Sequence, residues 1–175
     1  MTFMTPDRIA VVVGAVLALF LQATLAPNIA IFSAMPNFIV VFVLIVAVSR
    51  PHAFGAALPF VMGLLYDLMT GGPVGVMAFS LTAFSYLIAR LFSSLENDTL
   101  FMPLVMMALG IILIETSYGL FLLLFGYNAG FFEAFAYRIA PCFVYDLVIA
   151  VILYLLTTRF FRQPSANTQN FVRFR

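Results

Sequence analysis

The stretch Gly63-Leu64-Leu65-Tyr66-Asp67-Leu68-Met69-Thr70-Gly71-Gly72-Pro73-Val74-Gly75 decides how this chain is read. An apolar run carries one carboxylate, Asp67, near its end and is then cut by a glycine pair and a proline. Glycine ends a helix in left-handed geometry, and proline fits the first turn of the next one. The stretch therefore predicts an antiparallel helical hairpin with a tight tip at Gly71-Gly72. An acid at the centre of a lipid-embedded helix costs about 2.5–3.5 kcal/mol, so Asp67 needs a job or a partner.

The surroundings call for lipid. Of the 175 residues, 65% are hydrophobic and 9% are charged, against roughly 25% charged in soluble domains. Long uncharged runs of near-spanning length recur along the chain. The fold class that follows from this pattern is an all-α integral membrane protein, a six-transmembrane-helix bundle. The spans are expected at about 9–26, 36–49, 53–70, 73–92, 100–125 and 135–161, with a tail at 162–175. In the first span Ala10, Gly14, Ala18 and Gln22 recur every four residues. Such a face of small residues lets membrane helices pack closely. It favours a retained helix over a cleaved signal segment.

Charge gives the orientation. The chain has no Lys, and its arginines fall on alternating sides of the expected spans. Arg8, Arg50, Arg90, Arg159, Arg162, Arg173 and Arg175 lie on one side, and only Arg138 lies on the other. By the positive-inside rule both termini are cytoplasmic, and the hairpin tip points outward. The net charge of +1 and the lack of a basic surface argue against nucleic acid as a partner. The polar tail Ser165–Arg175 could rest on anionic headgroups, touch a cytoplasmic partner, or be a disordered stub.

Three acids fall within spans: Asp67, Glu115 and Asp146. The orientation places all three between the middle and the outer end, with Arg138 entering span six two turns before Asp146. Two readings stay open. The acids could glue helices together through Tyr66, Thr116, Ser117, Tyr118 or Tyr145, or they could line a binding surface. Tyr-Asp-Leu occurs at Tyr66-Asp67-Leu68 and again at Tyr145-Asp146-Leu147. An inverted repeat would give such an echo, but three residues are too few to establish one. An intramembrane aspartyl protease would need a Gly-x-Gly-Asp motif, and neither aspartate has it. His52 is the sole histidine and Cys142 the sole cysteine. No catalytic residue, metal site or cofactor is assigned.

Gly63, Asp67, Gly71, Pro73 and Gly75 match a Gly-x-x-x-Asp-x-x-x-Gly-x-Pro-x-Gly pattern, and in this the chain resembles the MreD family of rod shape-determining proteins. Pro36-Asn37-Phe38 and the stretch from Pro141 to Tyr145-Asp146-Leu147 are similar to the family as well. The resemblance implies a multi-pass protein of the bacterial inner membrane and a fold similar to the substrate-binding subunits of energy-coupling-factor transporters. It implies an MreC-like bitopic partner and, indirectly, the MreB filament and the peptidoglycan polymerase and transpeptidase. The function expected is a non-enzymatic scaffold in the cell-elongation complex. The alternative is a ligand-binding membrane subunit of a small-molecule transporter. The residues expected at the partner or ligand surface are Asp67, Tyr66, Gly71, Pro73, Gly75, Glu115, Arg138 and Asp146.

Overall fold

The structure is a computed structural model and describes residues 6–30, 35–95, 101–126 and 140–160. The described residues are all-helical. Helix α1 spans Pro6–Thr24 and is followed by a 3-10 turn at Ala26–Ile29. Then come α2 (Phe38–Ser49), α3 (Ala57–Thr70), α4 (Val76–Ser93), α5 (Phe101–Leu124) and α6 (Ala140–Phe160).

Helix α2 is the axis of the molecule. It packs against each of the other helices among the described residues. Phe38, Ile39, Val40, Val41, Val43, Leu44, Ile45, Ala47 and Val48 are all buried. A helix that is apolar on every side has to be covered on every side, and Phe38-Ile-Val-Val-Phe-Val-Leu-Ile-Val offers no polar stripe to turn outward. Its end is set locally: Arg50 precedes Pro51 and leaves helical geometry at φ −139° and ψ 56°, as a residue before proline tends to do.

The outer helices show the complementary pattern. On α1, Val12, Val13, Val16, Leu17 and Phe20 are exposed, while Ala18 and Gln22 are buried and Gly14 faces Phe42 of α2. A Cβ on Gly14 would come within 2.6 Å of the Phe42 ring. The small-residue face thus packs on α2 at Gly14, Ala18 and Gln22, whereas Ala10 is exposed.

Among the described residues α4 and α5 are long and apolar enough to cross a membrane. Helices α2 and α3 have 12 and 14 residues, short of the roughly 20 that a bilayer core requires. In α2 the reason is visible: it begins at Phe38, inside the bundle, and its first turn is capped by side chains of neighbouring helices.

Candidate functional site: two capped helix starts

The first four N–H groups of a helix have no partner within it. In an apolar interior each must find an acceptor elsewhere or incur a desolvation cost of about 1–3 kcal/mol. Two helices here, α4 and α2, start in that situation, and an aspartate from another helix answers each.

At the hairpin, α3 ends on Gly71 (φ 66°) and α4 starts after Gly75 (φ 100°). Both glycines sit in left-handed backbone that residues with a Cβ rarely adopt. Gly75 occupies the N-cap position and has no side chain with which to cap. Asp67 supplies what is missing. Its Oδ2 accepts from the backbone N–H of Gly75 at 2.8 Å, Met77 at 3.1 Å and Ala78 at 3.2 Å. Its Oδ1 also accepts from Met77, at 3.1 Å. The carboxylate is 0% exposed and lies at the positive end of the α4 dipole, where an anion is favoured. Gly63, one turn before Asp67, makes this reach possible. A Cβ there would sit 2.5 Å from Ala78 Cα and 2.8 Å from the Met77 carbonyl oxygen, so the two backbones are in direct contact. Pro73 completes the turn, its carbonyl accepting from the Val76 N–H at 3.4 Å.

At the start of α2 the caps come from across the molecule. Asp146 of α6 accepts from the Asn37 N–H at 2.6 Å through Oδ1. Gln22 of α1 accepts from the Phe38 N–H at 2.8 Å and donates from Nε2 to the Pro36 carbonyl at 3.3 Å. Asn37 caps its own helix by accepting from the Val40 N–H at 3.2 Å. The Asn37 amide nitrogen donates to Glu115 Oε1 of α5 at 3.5 Å. Asp146 is 0% exposed, and its Oδ2 has no hydrogen-bond partner among the described residues. Close by, Tyr145 donates to the Ile29 carbonyl at 2.9 Å and so ties α6 to the turn after α1.

Helix α5 links the two groups. Tyr118 meets Tyr66 edge-on with ring centroids 6.1 Å apart. The hydroxyls of Ser117 and Ser80 are 3.1 Å apart. Glu115, on the same stretch, reaches Asn37. The expected site residues thus fall into two neighbouring sets: Tyr66, Asp67, Gly71, Pro73 and Gly75 at the hairpin, Glu115 and Asp146 at the α2 start. Arg138 lies outside the described residues. The sequence pairs the acids most readily with tyrosine, threonine or serine side chains. The aspartates instead take backbone N–H groups, because helix starts buried in the bundle are the strongest unmet donors nearby. Asn37 and Gln22 are absent from the expected site. An Asn directly before an apolar helical run is a recognisable N-cap, and Gln22 is the one amide on the small face of α1.

These caps fall on residues that carry the family pattern. The family model described as rod shape-determining protein MreD matches residues 7–163. No curated protein and no solved structure matches the chain. With nearly its whole length matched, the chain belongs to the MreD family and has a part in determining rod shape.

Proposed function

We propose that this chain is a non-enzymatic membrane scaffold of the bacterial cell-elongation complex. It sits in the inner membrane as a six-pass bundle with both termini in the cytoplasm, and it holds an MreC-like bitopic partner. Through that partner it connects to the MreB filament and to lateral peptidoglycan synthesis. The carrying observation is the use made of the acids. Asp67 and Asp146 have no exposed surface, and each is engaged with a helix start. They determine shape, and the shape presents apolar surface. The polar caps lie at the hairpin end of the bundle, whereas Arg8, Arg50 and Arg90 lie at the opposite helix ends. That separation agrees with the orientation read from the arginines.

At the outer end the hairpin presents a shelf. Val74, Phe79 and Phe125 are exposed, and with Phe121 they line an apolar cleft of about 290 Å³. A single transmembrane helix packing here would meet side chains whose backbone positions depend on the Asp67 turn. The transporter-subunit alternative draws on the same acids as ligand contacts, and it has less support because both aspartates are sealed inside. Purification of the full chain in mild detergent with co-expressed MreC tests the proposal. The wild-type chain is expected to retain MreC, and Asp67→Ala, at equal expression and insertion, to retain it several-fold less. A wild-type chain that never holds MreC would overturn the scaffold reading.

A further inference from the structure

Asp67 and Asp146 are both fully buried, but their surroundings differ. At the α4 start Asp67 meets three backbone N–H groups with its two oxygens. At the α2 start two neutral amides take most of the donors. Gln22 accepts from the Phe38 N–H, and the Asn37 side chain accepts from the Val40 N–H. Asp146 is left with the Asn37 N–H, on Oδ1. Its Oδ2 is buried and has no hydrogen-bond partner among the described residues. The elements packed on α6 bring no cation to it. Helix α2 offers Asn37 at this end, and Arg8, Arg50, His52 and Arg90 all lie at the opposite helix ends. Helix α5 brings Tyr118 and Glu115, an acid that accepts from the same Asn37 and acts on Asp146 electrostatically. On α6 itself Tyr145 donates to the Ile29 carbonyl, and Tyr154 lies about two turns further along.

We propose that Asp146 is a proton-binding site: at neutral pH its Oδ2 carries a proton, and loss of that proton loosens the start of α2. A bare carboxylate at this place would bury a full charge on one N–H donor, beside a second acid, and a buried charge is costly unless it is paired and hydrogen-bonded. The α2 dipole favours negative charge here, but a dipole and one donor offset far less than the three donors that meet Asp67. The neutral acid resolves the conflict. It keeps Oδ1 as the acceptor that Asn37 needs, and it turns Oδ2 from an unmet acceptor into an O–H. Folded and unfolded chains then differ in bound protons, so stability falls as pH rises past the point where Oδ2 loses its proton.

Carbon NMR of the full chain in detergent, isotope-labelled only at the aspartate side-chain carboxyls, tests the site. The chain has four aspartates, Asp7, Asp67, Asp98 and Asp146, so the spectrum is simple. At neutral pH one signal should stand at the position of a neutral carboxylic acid, be absent from Asp146→Asn, and reach the carboxylate position only on alkaline titration. Thermal unfolding adds the consequence for the fold. The wild-type midpoint should drop as pH is raised, and Asp146→Asn, which cannot ionise, should remove that drop. Four carboxylate signals from wild type at neutral pH would overturn the proposal whether or not the variant folds. A neutral-acid signal that persists in Asp146→Asn would overturn it too, as would parallel pH profiles of the two midpoints. No partner enters these measurements, so their outcome is separate from that of the scaffold proposal.

Discussion

Asp67 and Asp146 are both acids in an apolar helix, and both act as external N-caps, yet they are not equivalent. Asp67 uses both oxygens and engages three N–H groups. Asp146 uses Oδ1 for one N–H, and its Oδ2 has no hydrogen-bond partner among the described residues. The two should therefore respond differently to isosteric change. Asp146→Asn keeps an acceptor for the Asn37 N–H and should leave thermal stability in detergent close to wild type. Asp146→Ala orphans that N–H and should cost about 1–3 kcal/mol. Equal losses in the two variants would show that the Asn37 bond is not what Asp146 contributes. The Asp67 contact is within reach of sequence reasoning, because donor and acceptor lie 8 to 11 residues apart on two sides of an evident turn. The Asp146 contact spans 109 positions, and no local pattern says which helix start α6 will meet. The repeated Tyr-Asp-Leu takes on a different meaning in this light. Each copy places an aspartate against a buried helix start, a likeness of role that does not require a repeat.

At the scale of elements, the α3–α4 hairpin and the α2 axis rest on different physics. The hairpin is local: Gly63 brings the backbones together, Gly71 and Gly75 take the left-handed positions, and Asp67 closes the turn. All of this is written within thirteen consecutive residues, which is why the hairpin is legible in the amino-acid sequence alone. Gly63→Leu should be severe. Its Cβ would stand 2.5 Å from Ala78 Cα, and backbone cannot yield as a side-chain tip can. Overpacking of this kind costs about 1–3 kcal/mol or more. Folded yield should fall sharply and partner retention with it; a variant that behaves as wild type in both would mean that α3 and α4 are not so close. Helix α2 is legible as apolar but not as central. Its even hydrophobicity fits lipid on all sides or protein on all sides, and only packing distinguishes the two. The protein-covered position explains its shortness: a helix that starts inside the bundle does not need the length to meet water, provided that neighbours cap it.

At the scale of the whole molecule, the polar caps and the described arginines Arg8, Arg50 and Arg90 occupy opposite ends of a helical bundle built round α2. The all-helical class and the family are legible from composition and from the Gly63–Gly75 pattern. The grouping of Gln22, Asn37, Glu115 and Asp146 is not, because it depends on how four separate elements converge. The buried acids hold helix starts in place and so give the bundle its form. Amide hydrogen exchange over the whole chain, compared between wild type and Asp67→Ala, tests it most directly. Wild type should be slow along α2 and at Met77 and Ala78. In the variant, exchange at Met77 and Ala78 should quicken by about fivefold or more, as loss of a buried acceptor worth about 1–3 kcal/mol implies, while α2 stays protected. Unchanged protection at the start of α4 would contradict the account.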